Sequence, residues 1–574
     1  MCSPFRLLAP GRMAGLLVVL GFAAAGASPV SAGELSAPTV KVVQSGADEL
    51  LKDLEFLFGL TTSVEQKQYK VIKEFLDVGF LPGIDTTLPV CVDVKFGNPS
   101  TRQVWCFPIN NFNNFRNVTL KGMAIVSKQK GAGLFELSSE FKGWMKYAAP
   151  YANIGKTPTD LPAGDPRDGA KELLAKKYDV AAEARNTKID AASQSERRKD
   201  FQNTRKELLA AVKKKKDDSE ANFQLKKKVF GYQLDEAERF FVESNHLTLG
   251  WTTDAAKQQG QLEIELVPIA GTSLEKVISE IGTAPSYFAN IQRSAKPVLS
   301  ARMHHPLDEL RKKNLLDFAA VIRDRAKEAA DAATDRSAAE KEATKKFADQ
   351  VFDMFTAGTN AGILDGFVEI HSNDSGKHTA VCGFRSADGT GVAEVLKTFP
   401  QTRQGRQSKI DAGQEGDVKI HEVTVSEKDH PHYQSFLGGP TLYIGASKDA
   451  VWLAAGENAL AELKAAIKKR AEKASPPADA PFAQLYVKLE PWLKLRQDED
   501  PKQGYTKHRK LALEAFALGA DIVTIEMRQK EKKITGQLLV ETGILRFAAK
   551  AAADSSKENL DTPAPQPKKT ASQK

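Results

Sequence analysis

The chain has 574 residues, of which 41% are hydrophobic and 27% charged, and its formal charge is +8 at pH 7. A mean hydropathy of −0.36 excludes a polytopic membrane protein, and the apolar share excludes a wholly disordered chain. At roughly 100–200 residues per domain, the length allows two to four domains, each able to bury its own core.

Residues 1–32 carry Arg6 and Arg12 and no acid ahead of the apolar run Gly15–Ala25, and they end in Val30-Ser31-Ala32. A short apolar core behind positive charge, closing on small residues, is the pattern that signal peptidase cuts. The run is too short for the ~30 Å of hydrocarbon that a membrane span must cross. Cleavage after Ala32 is therefore expected, releasing a soluble exported chain that is periplasmic or secreted and not integral to the membrane. A helical N-terminal segment is expected over 33–84.

The first α+β unit is expected over 85–300. It opens on the hairpin 91–107, whose turn is Gly97-Asn-Pro-Ser100. If Phe96 pairs with Thr101, the same register sets Cys91 opposite Cys106. Directly opposed Cβ atoms lie ~4.5–5.5 Å apart, close to disulfide reach, so Cys91–Cys106 is the disulfide candidate in an oxidising compartment. The alternative is two small buried hydrophobes. A helix from about Asn110, the hairpin 134–137/144–147 and a strand at 178–181 follow. A long basic helix over 190–245 leads to the hairpin 247–251/260–266 and a helix from Ser273 to Ile281.

That basic helix holds Arg197, Arg198, Lys199, Lys213, Lys214, Lys215, Lys216, Lys226, Lys227 and Lys228, and its segment accounts for the whole positive excess left once Arg6 and Arg12 are removed. Such a face would attract an anionic envelope component. Aromatic residues are scarce there and no groove-reading motif appears, so no specific nucleic-acid partner is expected. The alternative is the solvated face of a long helix.

A helical connector is expected over 301–360, with Met303-His-His-Pro306 as a helix start. A second α+β unit follows over 361–553, and a polar, Pro-rich disordered tail over 554–574. The second unit repeats the order of the first. Val92-Asp-Val94 returns as Val368-Glu-Ile370, and Gly260-Gln-Leu262 as Gly536-Gln-Leu538, both 276 residues later. The expected fold is α+β, with two homologous units joined by the connector, each an antiparallel sheet of hairpins packed by helices.

Gly83-Ile-Asp-Thr-Thr-Leu-Pro89, Trp144 after a Lys-Gly turn, Leu174-Ala-Lys-Lys-Tyr-Asp-Val180, Gly260-Gln-Leu-Glu-Ile-Glu with Gly271-Thr-Ser, Leu442-Tyr-Ile-Gly445 and Val451-Trp-Leu-Ala-Ala-Gly-Glu-Asn458 give a further lead. With these motifs the chain resembles a group of exported, functionally uncharacterised bacterial proteins common in planctomycete-type genomes. The resemblance implies export and a duplicated α+β fold, and it carries over no catalytic residues.

Motifs for chemistry are few. His430-Pro-His432 beside Asp429 is a weak metal candidate, because alternate positions of an extended segment face one side, but no fixed-spacing Cys/His partners accompany it. Ser375-Gly-Lys-His-Thr379 lacks the first glycine of a phosphate loop and lies in a hairpin turn. Ser127-Lys-Gln-Lys130 fits Ser-x-x-Lys without its companion motifs. Cys382 is read as core. No catalytic motif, cofactor or metal is implied. The expected function is a non-enzymatic scaffold or binding protein of the cell envelope. One alternative is a carrier of lipid or another apolar ligand, which needs a closed apolar cavity. The other is an envelope hydrolase, which needs convergent carboxylates or a nucleophile–base pair.

Overall fold

A computed structural model describes residues 38–95, 102–138, 142–162, 164–215, 220–373, 375–424, 436–470, 480–495 and 506–561. The protein is mixed α+β. The first ten strands are β1 (Thr39–Gln44), β2 (Val90–Lys95), β3 (Arg102–Pro108), β4 (Val126–Gly131), β5 (Leu134–Ser138), β6 (Gly143–Ala148), β7 (Tyr151–Gly155), β8 (Val180–Arg185), β9 (Ser244–Asp254) and β10 (Gln259–Pro268). The rest are β11 (Pro297–Pro306), β12 (Ile363–Ser372), β13 (His378–Arg385), β14 (Gln407–Glu415), β15 (Val418–Thr424), β16 (Thr441–Ala446), β17 (Ala450–Ala455), β18 (Ala483–Lys488), β19 (Ile522–Lys530) and β20 (Lys533–Glu541).

These twenty strands form one sheet, and every neighbouring pair is antiparallel. From one edge to the other the order is β4-β5-β6-β7-β3-β2-β1-β8-β9-β10-β20-β19-β18-β11-β12-β13-β17-β16-β15-β14. β10 and β20 meet at the centre.

Helices fill the connections. β1 is followed by α1 (Ala47–Gly59) and α2 (Ser63–Gly79), the latter opened by a capping box between Thr62 and Glu65. Between β8 and β9 run α3 (Ala191–Ala211), capped by Asp190, and α4 (Glu220–Glu243). α5 (Ser273–Glu280) follows β10. α6 (Glu309–Ala332), capped by Asp308, and α7 (Ala338–Asn360), with a Ser337–Glu340 capping box, separate β11 from β12. α8 (Ala459–Lys468) follows β17, α9 (Glu490–Leu495) and α10 (Thr506–Phe516) separate β18 from β19, and α11 (Thr542–Asp561) follows β20.

Several expectations are corrected here. The 190–245 helix is two helices, α3 and α4, folded back on one another through Arg205–Asp235 and the Phe201–Phe241 ring contact, and β9 begins at Ser244. The 301–360 connector begins inside a strand: Met303–Pro306 ends β11, where Arg302 and His304 have acidic partners on β12, Glu369 and Asp365. The N-terminal helical segment 33–84 contains β1, which sits inside the sheet between β2 and β8. The final helix continues past 553 to Asp561. The cleavage site after Ala32 lies outside the described residues. Among the described residues, no helix is long and apolar enough to cross a membrane.

The two wings of the sheet are covered on both faces. In the first wing, Leu161, Ala170 and Leu173 from the segment after β7 bury Val43, Cys91, Cys106 and Ala181. In the second, Phe288 and Ile291 from the segment after α5, together with Leu463 and Ile467 of α8, bury Phe367, Val381 and Trp452. The opposite face of the central strands is apolar, and at one end Leu266, Leu247 and Ile534 pack under Leu274 and Ile278 of α5. α11 is held against α1 and α2 by Phe58, Tyr69 and Ala553.

Candidate functional site: the uncovered polar face of the central strands

Residues directly opposite each other in an antiparallel ladder point to the same face. One register line can therefore be followed strand by strand across the sheet. It runs Cys106–Cys91–Val43–Ala181–Gly250–Glu263–Gln537–Glu526–Gln484–Arg302–Phe367–Gly383–Trp452. Both ends of the line are apolar and buried under the wing covers: Cys106 and Trp452 are each 0% exposed. The middle is a run of carboxylate, carboxamide, carboxylate, carboxamide and guanidinium, all half-buried. Apolar side chains occupy the line where it is covered, and hydrogen-bonding ones where it is open.

The covers define a groove. On one side Tyr178 lies so close over Gly250 that a Cβ there would come within 2.4 Å of its ring. The Tyr178 hydroxyl donates to Glu263 Oε2 at 2.6 Å. A cleft of about 300 Å³ opens beside it, lined by Tyr178, Thr248, Glu263, Glu526, Thr535 and Gln537 among others. On the other side the segment from Ile281 to Ala289 and Phe482 border a second, open cleft of about 360 Å³, which contains Gln484, Arg302, His304 and Asp365. Gln484 joins the two, since its amide donates to Glu526 Oε1 at 3.2 Å.

Apart from Glu263, which is held by neutral donors, the acids described here are paired with cations of the floor. Glu263 also accepts from Gln261 at 2.7 Å. Lys533 reaches Glu265 at 3.1 Å, with His246 at 3.5 Å and Lys176 at 3.9 Å. Burial works against the Glu265 carboxylate, but the hydrogen bond from Lys533 and the charges of Lys176 and Lys533 outweigh it, holding this acid below its ordinary value. Arg528 pairs with Glu526 at 2.7 Å, and Arg302 with Glu369 at 3.1 Å, where Ser300 donates to the same oxygen at 2.5 Å. Burial first, and the bond to Glu263 second, raise the Tyr178 phenol.

In the second cleft the buried Asp365 accepts from Ser286 Oγ at 2.8 Å and from the Tyr287 amide at 2.7 Å. His304 places Nδ1 3.3 Å from Asp365 and Nε2 2.8 Å from the Ala284 carbonyl. Burial alone would lower this imidazole, but the hydrogen bond and charge of Asp365 prevail and raise it. Ser286, His304 and Asp365 do not make a nucleophilic relay. The serine donates to the carboxylate, and both ring nitrogens of the histidine face other acceptors. The cluster pins the segment after α5 onto β11 and β12.

The residues singled out from sequence lie elsewhere. Cys91 and Cys106 are directly opposed, as the hairpin register predicts, and both are free thiols buried under the first wing cover. Burial pushes Cys91 up to about 12 and raises Cys106 as well. Cys382 on β13 is half-buried, and burial raises its thiol to about 11. His430 and His432 lie outside the described residues, as does Lys216. Arg197 does not belong to an exposed basic face. It is 0% exposed and donates to the carbonyls of Lys188 and Val242, tying α3 to α4. Arg198 pairs with Glu238 and Glu243, while Lys199, Lys213, Lys214, Lys215, Lys226 and Lys228 are exposed and Lys227 is half-buried. Ser127–Lys130 lies on edge strand β4, and Ser375–Lys377 in the β12–β13 turn. Among the described residues, no group of three or more His, Cys, Asp or Glu is placed to hold a metal ion.

The groove residues themselves are absent from the sequence reading. Their signal is the polar half of an alternation used there only to find strands: Gln261, Glu263 and Glu265 on β10, Thr535 and Gln537 on β20, Thr524, Glu526 and Arg528 on β19. Comparisons of the chain with family models, with curated proteins and with solved structures give no match.

Proposed function

We propose that this is an exported, non-enzymatic binding protein of the cell envelope, built from two copies of one α+β unit, which holds a polar ligand on the open face where the copies share their sheet. The signal-like residues 1–32 support export. Two copies are supported by the strand order. Outward from the centre, β10, β9, β8, β1, β2, β3, β7, β6, β5, β4 face β20, β19, β18, β11, β12, β13, β17, β16, β15, β14, each strand ten places after its counterpart.

The observation that carries the binding reading is the register line from Cys106 to Trp452, polar only where, among the described residues, no segment covers it. Polar side chains suit any sheet face that meets water; what distinguishes these is that they converge on two joined clefts. The carrier reading calls for an enclosed apolar chamber, whereas both clefts are open and floored by hydrogen-bonding groups. The hydrolase reading calls for convergent carboxylates or a nucleophile–base pair. The Ser286–Asp365–His304 arrangement denies the serine its base. Glu263 and Glu526, which share the first cleft, are engaged by the Tyr178 hydroxyl and by Arg528.

The test is mass spectrometry of the compounds released when the natively purified full chain is denatured, beside a Gln484→Arg/Gln537→Arg variant. A compound carried by the wild type and lost from the variant is the expected result. The same compounds in equal amounts from both would contradict the groove.

A further inference from the structure

We infer that the groove takes a neutral, polyhydroxylated chain, an oligosaccharide or polysaccharide, lying across the central strands along Glu263–Gln537–Glu526–Gln484–Arg302. This rests on the binding reading above and names its ligand class. The strands of the groove are each hydrogen-bonded to neighbours on both sides, so no backbone edge is left for an added peptide strand. Recognition falls to side chains.

Those side chains present no net field of one sign. Glu265, Glu526 and Glu369 each face a cation within the floor, and Glu263 faces the Tyr178 hydroxyl and the Gln261 amide. Apart from Glu263, whose two partners are neutral, these acids are compensated within the floor, so neither a polyanion nor a polycation meets a strong field of opposite sign. A lipid chain would find little apolar surface, for Leu539 is the single aliphatic side chain among the floor positions of β10 and β20 between Gln259 and Glu265 and between Thr535 and Glu541.

What remains is a supply of both hydrogen-bond roles at regular intervals. A carboxylate only accepts, a carboxamide both donates and accepts, and a guanidinium only donates. A sugar hydroxyl needs one of each. The carboxamide of Gln537 has no hydrogen bond within the protein among the described residues, and it sits between two carboxylates at the centre of the line. Successive strands place one such group every ~4.8 Å, on the scale of one sugar ring per strand. At the next register row the half-buried Tyr486, with Arg293 4.7 Å from its ring centroid, supplies a flat surface against which a ring can rest, while the buried Tyr178 closes one end of the line.

Native gel electrophoresis of the full chain tests this, in gels cast with laminarin, amylopectin, dextran or hydroxyethyl-cellulose, and in parallel with heparin or denatured casein. The expected result is retardation by at least one neutral polysaccharide, weakened at least five-fold by Gln537→Ala and by Gln484→Ala. Both variants should keep the wild-type circular dichroism and melting temperature, since both side chains are half-exposed on the floor. Unchanged mobility in all four neutral polymers, or equal retardation of wild type and variants, overturns the proposal. Retardation by heparin or casein alone that Gln537→Ala abolishes also overturns it, while leaving the groove itself as a binding site.

Discussion

Leu262 on β10 lies directly opposite Leu538 on β20, and the two leucines are the last residues of the repeated Gly-Gln-Leu segments. The segments pass each other in opposite directions, with Gln261 opposite Leu539 and Glu263 opposite Gln537. On the two-copy reading this pair marks the axis of the sheet, where each copy completes the other. The halves would then be coupled through one hydrogen-bonded ladder, unlike domains on a linker. Leu262→Ala and Leu538→Ala should each destabilise by about 1–2 kcal/mol, below the usual range for a fully buried leucine because both are half-buried. Urea unfolding followed by circular dichroism and by tryptophan fluorescence should show both probes shifting together. A shift confined to one probe would contradict the coupling.

Gly250 and Tyr178 give a second prediction. A Cβ at 250 would press into the Tyr178 ring, so Gly250→Ala should cost about 1–3 kcal/mol as overpacking and displace the phenol from Glu263. Tyr178→Phe alone should cost about 1 kcal/mol. In the Gly250→Ala background it should cost almost nothing, because the bond is already broken. The double-mutant cycle in urea checks this, and strict additivity would contradict the contact.

Asp53 on α1 and Asp179, immediately before β8, form a half-buried carboxyl pair. Burial, then the neighbouring Asp179 charge, push Asp53 up to about 7, and burial raises Asp179 too. An acid whose folded value lies above its unfolded one binds more protons in the folded state, so stability falls as pH rises from about 4 through about 7. Asp53→Asn should flatten this slope and raise the melting temperature at pH 8 by about 1–3 °C. A variant that melts lower than wild type at pH 8 would contradict the assignment.

Cys91 and Cys106 are opposed across β2 and β3, at a separation from which a disulfide forms after small adjustments. In protein recovered from an oxidising compartment, intact mass is expected to be lower by two hydrogens and Cys382 alone to be alkylated under denaturing conditions. In the reduced protein, the burial that raises both thiols should leave them slow toward alkylating agents until urea is added. Full alkylation of all three cysteines in the exported protein would contradict the disulfide.

Strands that carry their own periodicity were legible in the sequence, as in Gln261-Leu-Glu-Ile-Glu-Leu266, and the opposed cysteines followed from turn arithmetic alone. β7 was not, because its residues are buried on both faces and so show no alternation. β11 was hidden for a different reason. Its Ser300, Arg302 and His304 are polar yet largely buried, satisfied by Glu369 and Asp365 of β12, whose pairing no local pattern announces. The break between α3 and α4 carries no glycine or proline and only the charge run from Lys213 to Asp218. The groove was beyond reach because it exists only through pairings between distant strands, β10 with β20 and β11 with β18.

Carbodiimide footprinting addresses the central claim most directly. Glu263 and Glu526 on the groove floor are compared with exposed Glu207 of α3, in natively purified protein and after its ligand is stripped. The account predicts that labelling of Glu263 and Glu526 rises several-fold on stripping, while Glu207 does not change. Equal labelling of the two floor carboxylates in both samples would contradict it.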